Sequence, residues 1–359
     1  MIKPILVLIA ILLFQYSFGQ ERDSTSTDSL HPTSVSGFPV LFYLPETSLA
    51  FGALGTTSFN IGKERSFRPS QVLLSFAYTL KKQVLIFAPY ELYYKQKWKM
   101  EGELGYYKYF YNYYGIGSDS KKENLETFNA DFPRVINTLS YRFIPSSFVG
   151  IRVHFDRFSV KNRDSLLLSD APTGVNGGSL VSAGLTYSLD TRNDIFYPTK
   201  GTYINFISEL SSTGALSDFN YSLFQVSASH YFEFVDKHIL ASNITTGTIA
   251  GDAPFFSYFY MSSSKLARGH ADRRFIDRNI AVMQAEYRFP IYKRLRGVAF
   301  GAFGNVGNTY GEIFSNNMKL SGGAGLRFQL NKKIMNHLRV DLAGSREGLQ
   351  FYLTVGESF

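Results

Sequence analysis

The sequence contains no cysteine among its 359 residues. That absence excludes a disulfide framework, a thiolate metal site and a cysteine nucleophile, and it removes the residue to which a lipoprotein anchor is attached. The fold must therefore be held together by strand pairing and side-chain packing alone. No other pattern in the sequence points to a cofactor or to a bound metal ion, and we expect neither.

Long apolar segments are also scarce. Outside the N-terminus, no stretch approaches the roughly 20 consecutive apolar residues that a membrane-spanning helix needs, which excludes a helical membrane protein. The one apolar run is Ile5–Phe14, which follows Lys3 and precedes the small residues Ser17 and Gly19. This order is typical of a cleavable signal peptide, here residues 1–19, and it predicts export.

Runs of basic residues are missing, although the formal net charge is +8. Lysine and arginine are scattered among strands and turns, so we do not expect nucleic-acid binding. Contact with the headgroups of a lipid bilayer and with the phosphates of lipopolysaccharide explains the positive charge better. Aromatic residues, in contrast, make up 16% of the chain, with 33 Phe and 24 Tyr against a single Trp. Such an excess is typical of the aromatic girdles of membrane β-barrels.

The chain changes character near residue 37. Residues 20–36 are rich in Ser, Thr and Asp, and such a composition buries too little apolar surface to order itself, so we predict a disordered periplasmic tail. Residues 37–359 form a succession of segments in which apolar and polar residues alternate, separated by turns rich in Gly, Asn, Asp or Lys. Because successive side chains of a strand point to opposite faces, this period predicts strands with one apolar and one polar face.

We count about sixteen such segments, an even number that lets the first and last strands meet and pair. With export, and with the aromatic Phe359 closing the last segment as a sorting signal, the pattern predicts an all-β fold, a transmembrane antiparallel β-barrel over residues 37–359. A soluble β-sandwich shows the same alternation but has no reason to place an aromatic there. In the last segment we expect four side chains to face outward: Phe351, Leu353, Val355 and Phe359.

Several short motifs occur in a characteristic order: Tyr114–Gly117, Asp190–Asp194, Tyr197–Gly201, Leu266–His270 and Ala285–Pro290. With these motifs, residues 37–359 resemble the bacterial surface-antigen barrels, the superfamily of BamA-type and TamA-type assembly factors and two-partner-secretion transporters. Members of this family normally carry periplasmic POTRA domains, for which residues 20–36 leave no room. The resemblance is therefore to a stand-alone barrel branch.

The resemblance implies that the extracellular loop before the twelfth strand folds into the lumen. There the family's arginine, matched by Arg268 in the Arg268–Gly269–His270 tripeptide, pairs with acidic residues on the inner wall of strands twelve and thirteen. Glu286 alternates with apolar neighbours and is the expected partner. Two departures weaken this contact, because Ala302 replaces the acidic residue of strand thirteen and His270 replaces the usual aromatic. The resemblance also implies a conserved turn, represented here by Asp190, Arg192, Pro198 and Gly201.

The resemblance further implies a role in the assembly, insertion or translocation of outer-membrane proteins, through the lumen loop and the seam between the first and last strands. Pro39 in the first strand has no N–H for pairing, so the seam is expected to be weak. The expected partners are unfolded outer-membrane protein clients and a periplasmic accessory protein.

Two other functions remain open. One is a passive channel or structural barrel that has lost the assembly role. The other is a hydrolase in the lumen, because Arg152, His154 and Asp156 occupy alternate positions of the seventh strand. A polar lumen is expected to contain such residues, however, and no serine-centred motif accompanies them. We therefore expect no enzymatic activity.

Overall fold

The structure is a computed structural model that describes residues 33–44, 48–62, 69–95, 97–161, 165–315, 317–329 and 337–359. The predicted signal peptide and most of the predicted tail lie outside these residues. The first strand begins at Ser34, so the last three residues of the predicted tail belong to a strand. In the part of the chain that is described, no helix has the length and apolar character needed to cross a membrane.

Sixteen strands form one antiparallel sheet in which neighbours in the sheet follow chain order. These strands are β1 (Ser34–Leu44), β2 (Ser48–Phe59), β3 (Ser70–Thr79), β4 (Val84–Tyr94), β5 (Trp98–Tyr113), β6 (Glu126–Ile144), β7 (Ser147–Lys161), β8 (Gly178–Asp190), β9 (Gly201–Ser211), β10 (Asn220–Val235), β11 (His238–Asp252), β14 (Asn279–Tyr292), β15 (Leu295–Gly307), β16 (Lys319–Gln329), β17 (His337–Ser345) and β18 (Gly348–Val355).

The remaining elements are short and lie in the connections. Two strands of two residues each, β12 (Phe259–Tyr260) and β13 (Ile276–Asp277), pair with each other inside the connection between β11 and β14. Helix α1 (Ser165–Asp170) precedes β8, and α2 (Tyr310–Ser315) precedes β16. Single 3-10 turns occupy Lys122–Asn124, Thr213–Ala215 and Phe255–Ser257.

The sheet buries its polar face and exposes its apolar face. In β8, Ser182 and Ser188 are 2% and 5% exposed, whereas Leu185 is 58% exposed. This distribution is the reverse of that in a soluble sandwich, and it is the distribution of a membrane β-barrel, whose lumen is polar and whose outer wall meets lipid. The predicted fold class, an antiparallel transmembrane β-barrel with sixteen wall strands, is confirmed.

The two ends of the sheet are not joined as expected. The strand order runs from β1 to β18, and no ladder connects these two strands among the described residues. Pro39 lies in β1 opposite Ala53 of β2. The expected pairing of the first strand with the last is therefore absent, and the barrel is open along this seam.

The connections differ in length on the two rims of the barrel. On one rim the strands are joined by short turns, as at residues 145–146, 236–237 and 293–294. On the other rim the connections are long, as at residues 114–125 and 253–278. Outer-membrane barrels have short periplasmic turns and long extracellular loops. We therefore call the first rim the periplasmic rim and the second the outer rim.

The segment after β18 turns inward. Gly356 has a φ of +87°, and the strand ends before it. The ring of Phe359 lies 6.4 Å from that of Tyr231 and 5.8 Å from the guanidinium carbon of Arg288, both of which face the lumen. The expectation that Phe359 faces outward is therefore wrong, because the alternation of β18 does not continue past Gly356. Phe351, within the strand, is 54% exposed on the lipid side.

We predict that Gly184→Ala destabilises the barrel, because a Cβ at this position would lie 1.7 Å from the carbonyl oxygen of Ser208 on β9. The two backbones would have to separate, at a cost of about 1 to 3 kcal/mol. Gly301→Ala is the matched control, since its Cβ would meet nothing closer than 3.8 Å. The temperature at which the folded barrel loses its fast gel mobility should fall for the first variant alone. Equal midpoints would contradict the prediction.

Candidate functional site

The connection at residues 253–278, here called the lumen loop, folds back into the barrel. Its β12–β13 pair is extended by a hydrogen bond from the Met261 amide to the carbonyl of Phe275, 3.3 Å long. Met261, Ala267 and Phe275 are buried in an apolar cluster that also includes Ile280 of β14 and Ala302 of β15. This packing against the inner wall fixes the base from which Arg268 projects.

Arg268 is 2% exposed and lies between two carboxylates. Its Nη2 donates to Oε1 of Glu286 on β14, and its Nη1 donates to Oδ2 of Asp341 on β17 at 2.5 Å. The guanidinium carbon also lies 3.6 Å from the ring centroid of Phe300. Charge-assisted contacts of this kind are strong and directional. The arginine therefore ties the lumen loop to two separate strands of the wall.

Asp341 is the residue that sequence reasoning missed. Glu286 was the one partner expected for Arg268, and the contact was expected to be weak because Ala302 occupies the acidic position of the thirteenth wall strand. That expectation is wrong, since Asp341 supplies a second carboxylate from the fifteenth wall strand, β17, while Ala302 packs in the apolar cluster. The alternation of β17 places Asp341 on the lumen face between Val340 and Leu342, so the sequence did mark it as a lumen residue.

Further charged groups extend this contact into a buried network. Glu286 Oε2 accepts from Arg288 Nε at 2.9 Å, and its Oε1 accepts from the hydroxyl of Ser358 at 2.6 Å. Asp341 Oδ1 accepts from Arg327 Nη1 at 2.5 Å. The network contains four arginines and three carboxylates, all buried or nearly so: Arg268, Arg288, Arg327, Arg339, Glu286, Asp341 and Glu357. Buried charges require such mutual pairing to offset the loss of hydration.

Gly269 is required by the close approach of the loop to the wall. Its φ is +113°, and a Cβ there would lie 2.8 Å from the carbonyl oxygen of Gly344 on β17. The amide of Gly269 donates to the Tyr352 hydroxyl at 3.0 Å, and its carbonyl accepts from Ser345 at 2.9 Å. These contacts bring the loop backbone against the last two strands of the sheet.

His270 packs in the place expected for an aromatic residue. The side chain is buried, and its ring meets the ring of Phe275 edge-on at 5.4 Å. Its Nδ1 lies 3.7 Å from Oε2 of Glu347, and Arg274 Nε lies 2.8 Å from Oε1 of the same carboxylate. Burial raises the pKa of Glu347, but the contacts with His270 and Arg274 outweigh burial, and the net pKa is lowered. The replacement therefore keeps a ring contact and adds a polar one.

The Tyr114–Gly117 motif holds the outer end of the lumen loop. The amide of Gly117 donates to the carbonyl of Ile276 at 2.8 Å. Arg274 lies over the Tyr114 ring at 4.9 Å and donates from Nη1 to the hydroxyl of Ser120 at 2.6 Å. The connection between β5 and β6 thus supports the outer end of the loop.

The turn between β8 and β9 carries the second motif and closes part of the periplasmic rim. Asp190 and Arg192 form a two-point ion pair with distances of 2.9 and 2.8 Å. Tyr197 and Pro198 are buried, and Tyr197 is 0% exposed. Gly201 has a φ of +104°, and a Cβ there would lie 2.3 Å from the carbonyl oxygen of Thr191. The motif residues therefore shape a turn that folds inward.

The candidate hydrolase residues belong to a separate ion-pair cluster on the wall of β7 to β9. The ring of His154 lies between two carboxylates, with Nε2 2.9 Å from Asp156 Oδ2 and Nδ1 3.4 Å from Glu209 Oε2. Arg152 donates to Glu209 at 2.6 Å, and the Ser182 hydroxyl donates to the same carboxylate at 2.7 Å. Both ring nitrogens of His154 face carboxylates, and the Ser182 hydroxyl bonds to Glu209 and not to His154. The cluster is therefore an ion-pair network on the lumen wall, and its geometry gives no support to a hydrolase.

Fold and site together define a class, the outer-membrane β-barrel with an inward-folded loop clamped by an arginine. The family can also be stated. Residues 90–359 match the Omp85 superfamily domain, and the chain belongs to that superfamily. No curated protein sequence is significantly similar to this chain.

Solved structures share the fold at low sequence identity. BamA from Haemophilus ducreyi lacking POTRA domains 1-3 superposes with a TM-score of 0.62 and 15% identity, over 90% of this chain and 70% of that one. CdiB from Escherichia coli superposes with a TM-score of 0.61 and 11% identity, over 90% of this chain and 62% of that one. CdiB from Acinetobacter baumannii superposes with a TM-score of 0.57 and 10% identity, over 90% of this chain and 59% of that one. The chain thus spans less than two thirds of either CdiB.

We predict that Arg268→Ala frees the lumen loop, because it leaves Glu286 and Asp341 buried without their shared partner. Removal of one member of a buried ion pair costs about 3 to 5 kcal/mol. Limited proteolysis of the loop should accelerate, and the conductance of the barrel in planar bilayers should rise or fluctuate. Arg278→Ala is the control, since Arg278 bonds to Tyr258 and Gly251 outside the network. Wild-type conductance and protease resistance in Arg268→Ala would show that the loop is held otherwise.

We also predict a pH effect at the outer end of the loop. Burial raises the pKa of Asp277 from 3.8 to about 6, and its Oδ1 accepts from the Arg278 amide. Because the folded pKa lies above the unfolded one, the stabilising contribution is complete below about pH 4 and is lost as the pH rises through about 6. After division by the intrinsic base-catalysed rate, the protection factors of amide hydrogens in the loop should therefore fall from pH 4 to 7 in the wild type. Asp277→Asn should flatten this profile, and identical slopes would contradict the assignment.

Proposed function

We propose that this barrel takes part in the assembly, insertion or translocation of outer-membrane proteins, with the edges of β1 and β18 as the place where a client strand is received. The observation that carries the proposal is the seam, since no ladder joins β1 to β18 among the described residues. An unpaired strand edge presents a row of N–H and C=O groups to which an extended client segment adds by β-augmentation.

The composition of β1 supports a weak seam. Pro39 has no N–H to donate, so the edge of β1 that its nitrogen faces has one donor fewer. Across the strand, β1 is paired with β2 along its whole length, from Ser34 opposite Ser58 to Leu44 opposite Ser48. The strand is therefore firmly held on one side only, which favours exchange of partners on the other.

The lumen loop favours this role over that of a passive channel. Arg268, Gly269 and His270 are in contact with the inner wall, and loop and wall share one buried charge network. A loop held in the lumen in this way obstructs conduction, which a passive channel requires. We propose that the protein is exported by its signal peptide to the outer membrane, that its clients are unfolded outer-membrane proteins, and that a periplasmic accessory protein delivers them to the short-turn rim.

We predict that a disulfide across the seam abolishes function. The chain has no native cysteine, so pairs can be scanned between residues 38–44 of β1 and Leu349–Leu353 of β18, and those that oxidise fully can be selected. A locked seam should block complementation of a deletion strain while the barrel stays folded, and reduction should restore it.

The control is a disulfide between positions 42 and 50, which face each other within the β1–β2 ladder. This crosslink introduces the same chemistry without closing the seam, and it should leave complementation intact. Full complementation by a completely oxidised seam variant would reject lateral reception of clients and favour the passive barrel.

A further inference from the structure

Positive charge on the lipid-facing wall is confined to one region. In the described strands, alternation places nearly every Lys and Arg toward the lumen, and only Lys108 of β5 and Arg157 and Lys161 of β7 face outward. All three side chains are exposed. A charge on the lipid face is destabilising unless it reaches the headgroup region, so this grouping requires an explanation.

The three cations form one patch. Lys108 is opposite Asp131 of β6, and Asp131 is opposite Ser159 of β7, which lies between Arg157 and Lys161 on the same face. With strands about 4.8 Å apart and about 3.4 Å per residue, Lys108 lies roughly 12 Å from both Arg157 and Lys161, which are roughly 14 Å apart. Lys161 is the last residue of β7, and Lys108 lies opposite Val84, the first residue of β4 after the outer turn. The patch is therefore at the level of the outer-leaflet headgroups.

A small cavity beside Lys108 extends the patch to the turn between β3 and β4. Its volume is about 210 Å³, and its lining includes Lys81, Lys82, Gln83 and Lys108. Gln83 is 1% exposed, and its Oε1 accepts from the Thr79 hydroxyl at 3.0 Å. That bond fixes the amide, and Nε2 has no acceptor among the described residues. Gln83 is thereby held in place as part of the cavity lining.

The charge of the whole surface is strongly positive. Among the described residues of this surface, four exposed cationic side chains lie beside one carboxylate, that of Asp131, which pairs with Lys161 at 2.9 Å. The four are Lys82, Lys108, Arg157 and Lys161. Directly below, toward the middle of the wall, the exposed side chains are apolar: Ile86, Leu104, Tyr106, Val135 and Phe155. Basic groups above an apolar surface match a lipid with an anionic headgroup and acyl chains.

We propose that this surface is a binding site for lipopolysaccharide, with the phosphorylated glucosamine disaccharide over the basic patch and the acyl chains along the apolar wall below. The headgroup carries two phosphates on one rigid sugar unit, and a patch of roughly 12 to 14 Å is wider than a single phosphate needs. The site is independent of the seam and of the lumen loop. It binds the barrel to the leaflet that lipopolysaccharide forms.

The test uses the purified full-length barrel in detergent and fluorescent diphosphoryl lipid A as the probe. The outer-patch variant combines Lys82→Gln, Lys108→Gln and Arg157→Gln. The matched control combines Lys95→Gln, Lys237→Gln and Lys293→Gln, which removes the same charge from exposed turns of the periplasmic rim. Heat-dependent gel mobility verifies that both variants are folded. Phosphatidylglycerol and lipid A stripped of its phosphates serve as competitors.

We expect the wild type and the control to bind lipid A equally, and the outer-patch variant to bind at least about tenfold more weakly, since each surface cation contributes to anionic-lipid affinity. Dephosphorylated lipid A should compete poorly. Wild-type affinity in a folded outer-patch variant would overturn the proposal. Equal competition by phosphatidylglycerol would also overturn it, because the surface would then be a general site for anionic lipids.

Discussion

The ion pairs that Arg268 makes with Glu286 and Asp341 are the contact on which the arrangement of the lumen depends. Loops of this length seldom have one conformation without a strong point of attachment. Here one guanidinium joins the lumen loop to β14 and β17, and Phe300 covers its face. Because all three charges are removed from water, their pairing is the condition for burying any of them. The position of the loop and the pairing of these buried charges are thus one constraint.

The same network connects the lumen loop with the end of β18. Glu286 accepts both from Arg268 of the loop and from the hydroxyl of Ser358, and Glu357 pairs with Arg327 at 2.8 Å. The segment after β18 is therefore held inside the lumen by the groups that hold the loop. A change in the loop contact alters the balance of charges at the edge strand that borders the seam. Glu286, which binds both the lumen loop and the segment after β18, thus links the loop physically to the seam in the proposed function.

The sequence predicted the wall well because alternation repeats in every strand, and the physical cause, lipid on one face and a polar lumen on the other, acts on each residue locally. Glu286 could be found in the same way. Asp341 could not be assigned to Arg268, because the two are 73 positions apart and nothing local records their pairing. Phe359 was placed outward because the pattern was extended past Gly356, where a positive φ ends the strand. The missing seam ladder likewise depends on two strands that are distant in sequence.

The central claim, that the barrel assembles or translocates other outer-membrane proteins, is tested most directly by depleting the protein and measuring the outer-membrane proteome over time. The account predicts a loss of other β-barrels that begins before growth slows, with restoration by the wild-type chain and not by a seam-locked barrel. An outer membrane whose β-barrel content is unchanged after complete depletion would contradict the account and leave a passive or structural barrel.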